Sequence, residues 1–298
     1  MSDDHLIHIV QYMPEQPPTL HVHLLHGMAE HIGRYDEFAQ VLVENGFIVS
    51  GHDHRGHGKT AEKNGQQGFF AEQDGFERVT EDVREVLVQV REEIGDVPLI
   101  LFGHSMGSFV ARRYMQKYSE SLAKVVLSGT TFSPGVMGDI GSLIGKFSAK
   151  QKTPQTESAL LNKLSFGGFN KRFKDAQTDF DWLSSDANEV KKYIDDPFCG
   201  FIPSNQFYID LFHGLKIIHQ ENEIKKIRKD LPVLLISGLQ DPVGKSGKDI
   251  FKVAKGLTNV GMENVTVQLI ENARHEILNE VNKSEASQFI VNWMLKND

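Results

Sequence analysis

The chain has 298 residues, of which 40% are hydrophobic and 24% charged, and it carries a formal net charge of −8. That balance is the balance of a folded globular protein, because a disordered chain lacks the apolar content to build a core. The negative sign excludes a general attraction to nucleic acid or to anionic lipid, which needs clustered Lys and Arg.

From the amino terminus, residues 1–10 carry Asp3 and Asp4 where an export signal would carry positive charge, so an unexported chain is expected. The apolar runs at 97–102 and 231–236 are far shorter than the roughly 20 residues that cross a bilayer, and they read as buried strands. Strand-like runs fall at 20–25, 47–50, 99–102, 125–128, 233–237 and 265–270. Helical periodicity falls at 35–45, 76–94, 106–118, 247–255 and 283–295. In the second of these helices Val79, Val83, Val86, Leu87 and Val90 form one stripe, with Glu77, Glu81, Arg84 and Glu85 outside it. The alternation predicts an α/β fold with a mostly parallel central sheet flanked by helices.

Between about 132 and 228 the alternation stops, and helix formers, aromatics and turn residues take over. The expected organisation is a core of residues 1–131 and 229–298 carrying an inserted helical cap at 132–228. No Gly/Ser-rich or Pro-rich linker marks either edge. The single cysteine, Cys199, has no partner for an internal disulfide, so a reducing cytoplasm is the expected setting and a small buried side chain the expected role.

The residues that carry chemistry begin with Gly103-His104-Ser105-Met106-Gly107, which matches G-x-S-x-G between a predicted strand and a predicted helix. A turn of that kind is tight, so glycines flank it, and it raises Ser105 above the sheet as a nucleophile. A hydroxyl needs a base to take its proton and a third group to hold the base in the right tautomer. In this fold the partners follow in the order serine, acid, histidine. The histidines after Ser105 are His213, His219 and His275, and only His275 follows a late strand. Asp241 ends the preceding strand segment, with Pro242 stiffening the turn, and Asp249 inside a predicted helix is the weaker candidate for the acid.

Ester cleavage also needs donors for the oxyanion of the tetrahedral intermediate. The backbone N–H groups of Met106 and Met28 are the expected pair, the second from the loop His26-Gly27-Met28. His26 reads equally well as a brace for that loop and as a packed imidazole. The run His52-Asp53-His54-Arg55-Gly56-His57-Gly58 crowds imidazoles with a carboxylate, but a structural loop explains it better than a metal site. His21 and His23 share one strand face and read as packing. The mechanism calls for no cofactor and no metal.

With these residues placed, the chain resembles the α/β-hydrolase superfamily, and within it the monoacylglycerol lipase and lysophospholipase-like branch of serine hydrolases. The likeness rests on His26-Gly27-Met28-Ala29-Glu30-His31 with Arg34-Tyr35, on the 52–58 run, on the 103–107 elbow, and on the segments at 237–244 and 274–280. Asp196-Pro197-Phe198-Cys199-Gly200-Phe201 and Asn205-Gln206-Phe207-Tyr208 in the cap are also similar to that branch. The resemblance implies a pocket between core and cap, and a small lipid or ester substrate with one fatty acyl chain on a small polar head.

Val136, Met137, Ile140, Leu143, Ile144 and Phe147 form an apolar stripe if helical. It reads either as a lid making transient contact with membrane or micelle, or as a cap helix packed on the core. A serine peptidase or thioesterase with the same triad is the alternative activity. An aminopeptidase would need acidic residues for the free amine, and the cap supplies Asp179, Asp181, Asp186 and Glu189. A non-catalytic receptor is the third reading. Halide-removing and epoxide-opening chemistries are disfavoured because they use aspartate where Ser105 stands. Nothing in the residues fixes an oligomeric state.

Overall fold

The computed structural model describes residues 1–132 and 154–296. Seven strands form one sheet: β1 Ile9–Tyr12, β2 Leu20–Leu25, β3 Phe47–His52, β4 Leu99–His104, β5 Lys124–Ser128, β6 Val233–Gly238 and β7 Val265–Ile270, in the order β1-β3-β2-β4-β5-β6-β7. All neighbours run parallel except β1, which pairs antiparallel with β3 and sets Ile9 opposite His52. The α/β architecture and the mostly parallel sheet expected from the alternation are both present.

Strands β3 to β6 are buried on both faces, which is why they read as continuous apolar runs instead of alternating ones. The pleat divides them. Leu99, Leu101, Val125, Leu127, Val233 and Leu235 face one side, against α3 (Gly75–Ile94), α4 (Met106–Tyr118) and α9 (Lys248–Asn259). Ile100, Phe102, Val126, Leu234 and Ile236 face the other, against α1 (Asp36–Glu44) and α10 (Lys283–Leu295). Each such side chain contributes about 1.5–3 kcal/mol by leaving water. The stripe Val79, Val83, Val86, Leu87 and Val90 of α3 is buried as its spacing predicts.

Two elements depart from the sequence reading. β1 is a short edge strand, three of its four residues half-buried and the other exposed, so it lacks the apolar run that marks the inner strands. The 52–58 segment runs as a loop from Asp53 to His57, as expected, and leads into a short helix, α2 (Gly58–Asn64), that the sequence reading does not pick out. Between β5 and β6 the described residues form no strand of the sheet. They contain α5 (Ala159–Phe166), α6 (Ala187–Asp195), α7 (Asn205–Ile218) and α8 (Glu221–Ile224). Ser204 caps α7 by accepting from the Phe207 N–H, and the buried face of that helix packs with α3 and α4 in one core. The apolar stripe from Val136 to Phe147 lies outside the described residues. Among those described, no helix is long and apolar enough to cross a membrane.

Candidate active site

The parallel strands end on one edge of the sheet, and the segments that leave them there carry Met28, Ser105, Met106, Asp241 and His275. β4 passes into α4 through Ser105, whose backbone sits at φ 50°, ψ −118°, a left-handed value that costs a non-glycine residue energy. The flanking glycines are required by contact. A Cβ on Gly103 would lie 2.4 Å from the Gly107 carbonyl oxygen, and one on Gly107 would lie 2.2 Å from that of Leu25. The backbone N–H of Ser105 is held by the Ser128 carbonyl at 2.8 Å, which ties the turn to β5.

His275 follows β7, and its Nδ1 lies 3.1 Å from Oδ2 of Asp241 in the loop after β6. Asp241 is fully buried, and its other contacts fix it: Ser237 Oγ donates to Oδ2 at 2.9 Å and the Val243 N–H to Oδ1 at 2.8 Å. Asp249, the alternative acid, is occupied elsewhere by Lys245 at 2.8 Å, Lys252 at 3.1 Å and the Thr131 hydroxyl. Burial pulls the His275 imidazole toward its neutral form. The carboxylates of Asp241, Glu276 and Glu30 outweigh that, so its pKa lies above the ordinary histidine value. Its ring packs between His104 and Trp182, at centroid distances of 4.8 and 5.1 Å. Burial drives His104 itself down to about 3, so it stays neutral beside the His275 imidazole.

Met106 opens α4, so its N–H is among the first-turn amides without an intrahelical acceptor. The loop after β2 runs against the serine: a Cβ on Gly27 would lie 3.3 Å from the Ser105 Cβ. Met28 follows and lines the same cavity as Ser105 and His275. His26 is a brace. Its Nε2 accepts from the His54 N–H at 2.9 Å, which leaves the proton on Nδ1 to donate to the Gly27 carbonyl at 2.7 Å.

The remaining histidines do not converge on an ion. Asp53 turns its oxygens to the Ile32 and Lys59 amides, each at 2.8 Å, away from the imidazoles beside it. His21 and His23 share the Ser50 hydroxyl at 2.6 and 2.7 Å, and His23 continues to His52 at 2.9 Å, a buried hydrogen-bonded row. Among the described residues one trio, His31, Asp196 and Cys199, brings ligand atoms within 4.8 Å of one another. There Nδ1 of His31 accepts from the Gly33 N–H, so its proton sits on Nε2 and donates to Asp196 at 2.8 Å, the geometry of a hydrogen bond. Cys199 is only half-buried, against the aromatic cluster of Trp182 and Tyr193, and burial pushes its thiol up.

The cavity measures about 400 Å³. Its apolar wall is Phe166, Phe180, Trp182, Leu183, Tyr193 and Phe201, all between β5 and β6. Asn162, Lys163, Asn170 and Asp179 give it a polar side. Of the acids considered for an amine site, only Asp179 lines it. Asp181 accepts from Thr178, Asp186 caps α6, and Glu189 pairs with Lys192.

Sequence reasoning missed a buried network. Arg34 donates two parallel 2.7 Å hydrogen bonds to Glu276, next to His275, and a third to Glu30. Glu30 in turn accepts from the Gly27 N–H and the Tyr35 hydroxyl. Glu30, Arg34 and Glu276 all fall in segments that carry the family resemblance, but nothing local pairs Arg34 with Glu276.

A mostly parallel sheet flanked by helices, a serine on a strained strand-to-helix turn after β4, and an aspartate and a histidine from the ends of β6 and β7 define an α/β-hydrolase. Residues 16–282 match the family model described as serine aminopeptidase, S33, and the chain belongs to that family. A monoglyceride lipase homolog of Monkeypox virus is 26% identical, over 96% of this chain and 92% of that one. A monoacylglycerol lipase of Mycolicibacterium smegmatis is 27% identical, over 95% and 91%. A highly thermostable carboxyl esterase from Bacillus coagulans, whose structure was determined with glycerol, superposes with a TM-score of 0.90 at 30% identity, over 97% and 93%. The chain is therefore a serine carboxylic-ester hydrolase of the monoacylglycerol-lipase-like branch, acting on a small lipid or ester.

Proposed function

We propose that Ser105 attacks the ester carbonyl while His275, oriented by Asp241, takes its proton, and that the Met28 and Met106 N–H groups hold the oxyanion. The observation that carries this reading is the 3.1 Å approach of His275 Nδ1 to a fully buried Asp241, with the imidazole in the same cavity as Ser105. Collapse of the tetrahedral intermediate transfers the proton from His275 to the departing alcohol oxygen and leaves Ser105 acylated. Water, deprotonated by His275, then attacks the acyl carbonyl. The serine leaves with the proton, and the fatty acid is released.

The substrate we propose is a monoacylglycerol or a lysophospholipid, its acyl chain along the aromatic wall and its head at the polar side. Residues 132–228 act as a cap that supplies that wall, on a core of 1–131 and 229–298. The enzyme is cytoplasmic, needs no cofactor, and touches membrane or micelle transiently through the cap. The family description favours peptidase activity as the second reading, and Asp179 is the one cap acid among the described residues that lines the cavity where a substrate amine would lie.

A panel of p-nitrophenyl esters of graded length, monoacylglycerol, lysophosphatidylcholine and an aminoacyl amide tests the choice. Turnover of long-chain monoacylglycerol or lysophosphatidylcholine is expected, and turnover of the amide alone would overturn the lipase reading. Replacing Ile140 and Ile144 by Ser tests the lid: activity on dispersed long-chain substrate should fall more than on a soluble short ester. Equal losses on both would remove the membrane contact.

A further inference from the structure

The loop beside Ser105 leaves β2 and the loop carrying His275 leaves β7, with β4, β5 and β6 between them in the sheet, so direct contacts between the two loops add to what the sheet registers set. The buried carboxylates that make those contacts belong to neither the nucleophile nor its relay. Glu30 Oε1 accepts from the Gly27 N–H at 2.5 Å, and its Oε2 accepts from Arg34 at 2.7 Å. On its other side Arg34 grips both oxygens of Glu276, 242 residues away in the chain. Glu276 is also anchored by Asn279 at 2.9 Å, and its own N–H is held by the Leu183 carbonyl at 2.7 Å. Arg34, Glu30 and Glu276 are 10, 4 and 6% exposed, so the fork works in a dry, low-dielectric setting where geometry is held stiffly.

The loop is clamped at Ala29 as well, at a left-handed φ of 54°. The Ala29 carbonyl accepts from the Tyr193 hydroxyl and the Gly200 N–H, each at 2.9 Å, and the Arg34 guanidinium lies 4.9 Å from the centre of the Tyr193 ring. Met28, between the clamped Gly27 and Ala29, therefore has its N–H direction set by Glu30 on one side and Tyr193 on the other.

We propose that Arg34, gripping Glu30 and Glu276, is a positioning residue that fixes the oxyanion donor at Met28 relative to the His275 imidazole. A substrate can form its ester contacts without this coupling, but the tetrahedral intermediate needs donor and base in place together. Loss of the clamp therefore lowers kcat with little change in KM. The proposal rests on the roles given above to Ser105, His275 and the Met28 N–H.

The test uses Arg34→Gln, Arg34→Lys, Glu276→Gln and an uncharged triple variant, Glu30→Gln with Arg34→Met and Glu276→Met, assayed on p-nitrophenyl butyrate with thermal melting in parallel. Removing the buried charges together avoids leaving an unpaired carboxylate, so the triple variant is the one most able to stay folded. The proposal expects Arg34→Gln and the folded triple variant to lose about 100-fold in kcat, the scale of one oxyanion donor, with KM within about 3-fold. Arg34→Lys, which keeps charge but not the fork, falls between.

Glu276→Gln removes one of the charges facing His275, leaving Asp241, Glu30, Arg34 and neutral His104 around it. The acid limb of kcat/KM should then move to lower pH. Wild-type kcat in a folded Arg34→Gln or triple variant, or an acid limb that stays put in Glu276→Gln, would overturn the proposal. Ser105→Ala is the control: if it keeps activity the underlying reading fails, whereas an inactive Ser105→Ala beside a fully active Arg34→Gln defeats the clamp alone.

Discussion

The carboxylate of Asp241 lies 3.1 Å from Nδ1 of His275, and it also accepts from Ser237 Oγ and the Val243 N–H, contacts that fix its orientation. Asparagine at 241 would keep the shape but present an N–H₂ or an uncharged oxygen to the imidazole, favouring the wrong tautomer. Asp241→Asn should lower kcat by about 10³- to 10⁴-fold with little change in melting temperature. Asp249→Asn, which loses only lysine and threonine contacts, should stay within about 3-fold of wild type. Steady-state kinetics on one soluble ester checks both, and the reverse ranking would transfer the acid's role to Asp249.

Because carboxylates around His275 raise its pKa above the ordinary histidine value, the base proposed for the reaction is protonated earlier on acidification than a free imidazole. The acid limb of kcat/KM should therefore have its midpoint above about pH 6.5. The loss should be reversible on return to neutral pH. A midpoint well below that value would contradict the electrostatic account.

Stability should also fall on acidification, but over a lower pH range and through different imidazoles. Burial lowers His21 and His57 to about 4 and also depresses His23, His26, His52 and His54. A depressed folded-state pKa means the unfolded chain binds the extra proton, so the stability these groups allow is complete above about pH 6.5 and drains away toward pH 4. For His21 and His57 the loss is on the order of 1–2 kcal/mol each by pH 5. Urea unfolding at pH 7.5 and pH 5 measures it, and an unchanged midpoint would show that these imidazoles are not held neutral.

Gly107→Ala should be poorly tolerated. Its Cβ would sit 2.2 Å from the Leu25 carbonyl oxygen, inside the contact between α4 and β2, and there is no flexible side chain there to yield. A loss of about 1–3 kcal/mol with loss of activity is expected from overpacking. Gly256→Ala, inside α9 with nothing within 4 Å of the new Cβ, should leave turnover unchanged and raise stability by about 0.5–1 kcal/mol.

The inner strands were legible because burial on both faces makes them continuous apolar runs, and the predicted 20–25 and 265–270 coincide with β2 and β7. The elbow was legible for a related reason: Gly103 and Gly107 are demanded by backbone contacts that no other residue satisfies, so the sequence must display them. β1 left no mark because it is only four residues long and only partly buried, whereas β7, at the other edge, has six residues with Val265, Val267, Leu269 and Ile270. The Arg34–Glu276 pair left none either, since an ion pair closed across 242 residues has no period or spacing. The aromatic wall was legible only as composition. Phe180, Trp182, Tyr193 and Phe201 are ordinary core residues in sequence, and only the fold turns them toward Ser105.

The central claim is that the ester is cleaved through an acyl-enzyme on Ser105. Rapid acid quenching during turnover of a p-nitrophenyl ester, followed by mass spectrometry of the peptides, tests it directly. The acyl mass should appear on the peptide containing Gly103 to Gly107, vanish in Ser105→Ala together with turnover, and accumulate when deacylation is slowed. Ester hydrolysis persisting in Ser105→Ala, or an acyl group carried on another residue, would contradict it.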